Sequence, residues 1–258
     1  MGGNQRHQKI REALRDRSFV SVKDLVDLLD ASPATVRRDI DKLNEAGDVR
    51  KVFGGVASTE AGGATERQSA APFDENRVLA VDAKRAIARE AERLCRDGDS
   101  IIIHGGSTCF LFGMRLARRS LRIFTNSMPL AAWLGEHGTC QLMVAGGDLH
   151  REPGIIQTMP VEPPAFYGSK FFIGAQGIGP SGVMESHPLL ARSVEALLGC
   201  TDEVIVLADS RKFAIRARHV VYPLTRIGKL ITDDGLADND AKMLEAAGVE
   251  VIIAARGN

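Results

Sequence analysis

The chain is 258 residues long, 44% hydrophobic, and carries 33 Lys and Arg against 33 Asp and Glu, a formal net charge of zero. That length accommodates a small domain beside a larger one with its own core. The charge balance excludes a protein that coats nucleic acid along its whole surface, so any contact with DNA has to be focal. No apolar run is long enough to span a bilayer, and the first residues lack the apolar centre of a signal peptide, so a cytoplasmic protein with no membrane partner is expected. The four cysteines, Cys95, Cys109, Cys140 and Cys200, lie far apart without a C-x-x-C pair. They suggest neither a zinc site nor a disulfide framework.

Residues 6–16 offer Ile10, Ala13 and Leu14 as an apolar stripe, and Ser21 is placed to cap a second helix carrying Val22, Leu25, Val26, Leu28 and Leu29. The third helix has the clearest ends. Ser32 is a preferred N-cap, Pro33 suits the first helical position, and Gly47 can close the helix in a left-handed turn. Ala34, Val36, Ile40 and Leu43 recur at helical spacing and suit a packed side, which leaves Thr35, Arg37, Arg38 and Lys42 to face outward. The tight connection Asp30-Ala31-Ser32 suits a helix-turn-helix. Residues 48–57 then read as a hairpin turning at Gly54-Gly55, so residues 1–58 form a winged helix-turn-helix. Ser32, Ala34, Thr35, Arg37 and Arg38 would meet base edges and flanking phosphates of double-stranded operator DNA, with Lys42, Arg50 and Lys51 on phosphates. Total charge does not make the case, since residues 1–58 hold 11 Lys and Arg against 9 Asp and Glu. The arrangement does.

Residues 59–76, rich in Ala, Gly, Ser, Thr and Glu, have no periodicity and read as a linker. From residue 77 to 258 helical stretches alternate with short β-branched runs, the pattern of an α/β domain with a largely parallel sheet. Strands are expected near residues 100–104, 121–127, 141–145, 170–174, 203–208, 229–232 and 249–253. In such sheets ligands gather beyond the carboxyl ends of the strands. Small and polar residues sit at five of those ends: His104, Gly105, Gly106, Ser107 and Thr108; Thr125, Asn126 and Ser127; Gly146 and Gly147; Gly174, Gln176 and Gly177; and Asp209 with Lys212. The first set stands at a helix N-terminus, where backbone N–H groups and the macrodipole favour an anion. A glycine pair after a strand is ordinarily a turn. Five polar ends on one edge point instead to a phosphate cradle, with Lys212 as a point charge. His104, His187 and His219 are scattered, with no carboxylate at metal-ligand or triad spacing. No catalytic set, metal or cofactor is expected.

Taken together, Ser32, Thr35, Arg37, Arg38, Asp39, Leu43, Gly47, Gly54, Gly55 and Ala57, with Gly106-Ser107-Thr108, Thr125-Asn126-Ser127, Gly146-Gly147, 172–177 and 209–212, make the chain resemble the DeoR family of bacterial transcriptional regulators over its whole length. Three local patterns, around 32–43, 106–113 and 125–131, are most similar to the subgroup that represses L-ascorbate utilisation. The resemblance implies a winged helix-turn-helix joined to a sugar-phosphate-isomerase-like effector domain. It further implies a homo-oligomer, dimer or tetramer, that represses carbohydrate catabolism and is switched by a phosphorylated sugar or sugar acid. Many members carry an acidic residue where this chain has Leu190 and an Asp where it has His104, departures that favour an atypical ligand. The alternative is an enzyme of the sugar-phosphate isomerase type with an accessory N-terminal domain, for which Asp209 and Lys212 are the acid–base candidates.

Overall fold

The computed structural model describes residues 3–15, 19–52, 55–58, 73–157 and 163–255, which fall into two compact units, 1–67 and 68–258. The first contains α1 (Gly3–Arg15), β1 (Phe19–Ser21), α2 (Val22–Leu29), α3 (Pro33–Glu45), β2 (Val49–Val52) and β3 (Gly55–Ser58). Both expected caps form: the Ser21 hydroxyl accepts the Asp24 N–H at 3.1 Å and the Ser32 hydroxyl that of Thr35 at 3.2 Å. Gly47 ends α3 at φ +74°. Its N–H reaches the Asn44 carbonyl at 3.1 Å and that of Asp48 the Leu43 carbonyl at 2.9 Å, the paired closure of a Schellman motif. Ile10, Leu25, Leu29, Val36, Ile40 and Leu43 join Val20, Val49 and Val56 in one core.

The wing is a three-stranded sheet in the order β1-β3-β2. Gly55, expected in the hairpin turn, instead opens β3 and pairs with both Val52 and Ser21. Gly54 lies outside the described residues. β1 is three residues long and too short to leave a pattern in the sequence.

The larger unit carries α4 (Phe73–Val78), α5 (Val81–Arg93), α6 (Ser107–Arg115), α7 (Met128–His137), α8 (Pro188–Leu198) and α9 (Asp238–Ala246). Residues 73–76, expected within the linker, belong to α4, because Phe73 sets its ring edge-on against Phe110 at 5.6 Å and anchors the helix on the domain. Residues 59–72 of the expected linker lie outside the described residues.

All seven expected strands form one sheet: β4 (Ser100–Ile103), β5 (Arg122–Thr125), β6 (Gln141–Val144), β9 (Gly168–Ile173), β12 (Thr201–Leu207), β14 (Lys229–Asp233) and β15 (Glu250–Ala254). Their order is β15-β14-β12-β9-β4-β5-β6, and every pairing is parallel. Both faces are covered. Ile101 and Ile103 pack with Ile87, Phe112 and Leu130, while Ile102 turns to the side of Val194, Leu197 and Phe213. Strands buried on both faces read as unbroken apolar runs, which is why they stand out in the sequence. The chain winds outward from β4 to β6, crosses back to β9, and winds outward the other way. Strand order therefore reverses between β4 and β9, the place where such sheets open a ligand crevice.

Two smaller sheets were not expected. A hairpin joins β7 (Asp148–His150) to β8 (Ile155–Gln157), and a second antiparallel sheet orders β10 (Gly177–Gly179), β11 (Gly182–Glu185) and β13 (His219–Tyr222).

Candidate functional site

In the N-terminal unit α3 presents Ser32, Arg37, Arg38 and Lys42 to solvent, together with Ala34, which the apolar spacing groups with the packed positions but which lies outside the core because it is in the first turn of the helix; Thr35 is half-buried, its hydroxyl 2.9 Å from that of Ser32. Arg50 and Lys51 stand on β2, the outer strand of the wing. Their side chains lie outside the described residues. One residue of α3 that the pattern gives as polar turns inward: Asp39 is only 4% exposed. Arg6 donates to it from Nε at 2.6 Å and from Nη2 at 3.3 Å, and His7 Nε2 lies 3.1 Å away. Burial pushes the Asp39 carboxyl up, but the hydrogen bonds from Arg6 and His7 outweigh it and hold the group below its ordinary value. The cluster ties α1 to the back of α3, so the outward face is held at a set angle.

In the larger unit the crevice at the strand reversal contains a cavity lined by Gly105, Gly106, Ser107, Thr108, Gly174, Gln176 and Lys212 from the expected set. Lys84, Glu185, Phe73, Asn76 and Leu190 are also part of its wall. The enclosed space is about 80 Å³, room for a phosphate or carboxylate head. Gly106 precedes α6 at φ +141°, and no side chain caps that helix. The first N–H groups of α6 are therefore left for a ligand.

Lys84 is the residue that sequence reasoning missed. It reads as one more lysine on the amphipathic α5, yet it is 2% exposed. Its ammonium donates to the Ser107 hydroxyl at 3.0 Å and to the Asn76 carbonyl. Burial lowers its pKa to about 8, against the pull of Asp209 and helped by the nearby Lys212 and Arg211. Lys212 is lowered for the same first reason, with Asp209 and Glu185 opposing. Glu185, half-buried on β11, is pushed up to about 7 by burial, with Lys212 as the main counterweight. In each of these groups burial disfavours the charged form relative to water. An anion in the cavity would favour the charged lysines and a protonated Glu185.

The remaining expected residues do not line this cavity. Asp209 is 1% exposed and is gripped by Arg211 through two bonds of 2.7 and 3.2 Å, so it acts on the lysines through its field rather than by contact. Burial takes the His104 ring down to about 4, which keeps it neutral, and its Nε2 bonds the Ser193 hydroxyl at 2.6 Å. Thr125 is structural, donating to the Ile103 carbonyl at 2.7 Å and accepting from the Ser127 N–H at 3.1 Å. Ser127 caps α7. Asn126 accepts the Gly105 N–H at 3.0 Å and, with Gly146, faces a different cavity. Gly147 turns at φ +117° and is exposed. Gly177 is buried in β10, where a Cβ would stand 2.4 Å from the Ile215 carbonyl oxygen, so the position requires glycine for packing. Among the described residues no group of three or more His, Cys, Asp or Glu could hold a metal ion.

A helix-turn-helix with a wing in one unit, and a cavity suited to an anion in the other, describe a regulator that reads DNA and senses a small molecule. Residues 6–61 match the DeoR-like helix-turn-helix domain and residues 79–234 match the DeoR C terminal sensor domain. The chain is a DNA-binding transcriptional regulator, and it belongs to the DeoR family. It is 31% identical over 249 residues to the HTH-type transcriptional regulator UlaR of Shigella dysenteriae and of Escherichia coli K12, a match covering 96% of this chain and 98% of each relative. Among solved structures it is similar to ribose 5-phosphate isomerase A from Methanocaldococcus jannaschii, with 17% identity and a TM-score of 0.39 over 52% of this chain and 54% of that one. The isomerase from Neisseria gonorrhoeae gives 14% identity and a TM-score of 0.37 over 52% and 53%. Likenesses so distant say nothing of chemistry. No helix among the described residues is long and apolar enough to cross a membrane.

Proposed function

We propose that this regulator is a cytoplasmic repressor of a carbohydrate-utilisation operon whose DNA affinity is set by a phosphorylated sugar or sugar acid held in the cavity at the strand reversal. The observation that carries this reading is the convergence of Lys84, Lys212 and the uncapped start of α6 on one space. Two lysines depressed by burial are costly without an anion and favourable with one. The wall also carries Gln176, Asn76 and Glu185, which can bond hydroxyls of a sugar chain. On the DNA side, Thr35, Arg37 and Arg38 lie in the N-terminal half of α3, the part that reaches base edges, and Lys42, Arg50 and Lys51 contact phosphates.

The domain limits that go with this reading are 1–58 for DNA binding and 77–258 for sensing, with a connection between them. The protein works as a dimer or tetramer, because two related α3 helices read two half-sites. The ligand acts through unequal affinity for the DNA-competent and incompetent arrangements of that oligomer.

A second reading, turnover of a sugar phosphate, has one observation in its favour. Glu185 titrates near 7, where a general base is useful. Asp209, the earlier candidate, is occupied by Arg211. We favour binding without turnover because the relatives are named as transcriptional regulators. A thermal-shift series over aldose phosphates, ketose phosphates and phosphorylated sugar acids tests both readings. A ligand at 100 times its dissociation constant stabilises the folded state by about 2.7 kcal/mol. The shift should vanish in Lys84→Met, and the ligand should be recovered unchanged. A shift that survives Lys84→Met overturns the site, and an isomerised product establishes the enzyme.

A further inference from the structure

Part of the wall around Lys84 and Lys212 comes from a marginal element. Phe73 and Asn76 belong to α4, the short helix that precedes α5 in the chain. Six residues do not hold a helix by themselves in water, so α4 exists through what it packs against. Two contacts fasten it. The Phe73 ring stands edge-on to Phe110 of α6, with centroids 5.6 Å apart. The Lys84 ammonium, on α5, donates to the Asn76 carbonyl and, at 3.0 Å, to the hydroxyl of Ser107 at the start of α6.

Lys84 thus belongs to the cavity and to the fastening at once. An ammonium has three N–H donors, so it can hold Asn76, Ser107 and an anion together. An anion beside it favours the charged form, and a charged donor makes the stronger hydrogen bond to Asn76. The ligand in turn meets the Phe73 and Asn76 wall only while α4 is in place, so it has to bind the docked arrangement better. The connection to α5 opposes docking. Ala80 stands at φ +48° and ψ +42°, a left-handed conformation that is unfavourable for any residue with a Cβ.

We propose that α4 is a strap that a bound anion fastens, so that occupancy of the cavity is registered where the sensor unit takes up the chain from the DNA-binding unit. This rests on the anion site proposed above. Among the described residues α4 is the first element of the sensor unit, and the chain before Phe73 leads back to the helix-turn-helix. A ligand that holds α4 therefore fixes one end of that connection without any contact between the units.

The test is hydrogen exchange by mass spectrometry on the full chain, with inorganic phosphate at tens of millimolar against chloride at equal ionic strength. Phosphate should slow exchange in peptides covering residues 73–80 by about fivefold or more. Ala80→Gly relieves the left-handed residue, so it should slow the same peptides without phosphate and tighten phosphate binding, read by calorimetry, about twofold or more. Phe73→Ala should speed them and weaken phosphate about fivefold or more, with exchange in the seven-stranded sheet unchanged. The gain in Ala80→Gly is a result that general damage to the fold would not produce. Phosphate that binds while exchange over 73–80 stays as it was, or an Ala80→Gly variant that loosens α4 or weakens phosphate, would overturn the strap and leave the Lys84 site standing. Phosphate that fails to bind, or binds Lys84→Met equally well, would remove both.

Discussion

At the scale of single residues, the sensor side of the protein turns on Lys84. Replacing an ammonium that is almost fully buried by the apolar Met removes a desolvation penalty, so Lys84→Met should leave the free protein as stable or more stable. The same change should weaken a phosphorylated effector by about 2–5 kcal/mol, which calorimetry reads directly. The pH dependence follows from the two displaced groups. Lys84 titrates at about 8 in the fold against an ordinary 10.5, so the unfolded chain holds more protons between those values and stability rises with pH across that window. Glu185 titrates at about 7 against 4.5, so the fold holds more protons there and its contribution is lost as pH rises through about 7. An anion raises both values. Binding at pH 7.5 should therefore take up protons, measured as a dependence of calorimetric enthalpy on the buffer's ionisation enthalpy. Net proton release would place the anion elsewhere. Neither residue was legible as a site: Lys84 sits on a helix whose other face is polar, and Glu185 on a four-residue strand, and only tertiary burial separates them from solvated charges.

At the scale of elements, local signals and structure agree where the element carries its own boundaries. α3 has Ser32 at one end and Gly47 at the other, and both perform the roles that their chemistry suggests. Ser32→Ala should cost about 1 kcal/mol in chemical denaturation. Gly47→Ala should cost a similar amount because φ at this position is +74°. The central parallel strands were legible as Ile-, Val- and Phe-rich runs for the reason that both of their faces are buried, whereas the edge strands β6 and β15 are apolar but partly exposed. β7, β8, β10, β11 and β13 were not. They are three or four residues long, two begin with glycine, and they exist because they pair across loops. The expected strand-end cradle separated along the same line. Positions beside the strand reversal converge, whereas Thr125, Ser127, Gly147 and Gly177 are occupied with capping, clipping and turning the backbone. For the DNA-facing element, Arg38→Ala should cost about 1–3 kcal/mol and relax the preference at one base pair, whereas Lys42→Ala should weaken all duplexes alike and reduce the salt slope. Binding of matched and mismatched duplexes across a salt series separates the two; equal losses everywhere for both would remove base reading from Arg38.

At the scale of the whole molecule, the protein combines a unit that reads DNA with a sensor unit whose cavity is lined by Lys84 and Lys212. Their coupling is a free energy, typically about 1–3 kcal/mol, and it runs both ways. In the proposed function the coupling works through an oligomer, so sedimentation should find a dimer or tetramer at micromolar concentration. The most direct measurement of the central claim is the affinity of the full chain for a duplex obtained by in vitro selection, with and without a phosphorylated sugar or sugar acid that raises its melting temperature. The wild type should change its affinity about fivefold or more on addition of that compound, and Lys84→Met should bind the duplex equally well but show no response. A response retained in Lys84→Met, or duplex affinity indifferent to every such compound, would contradict the account.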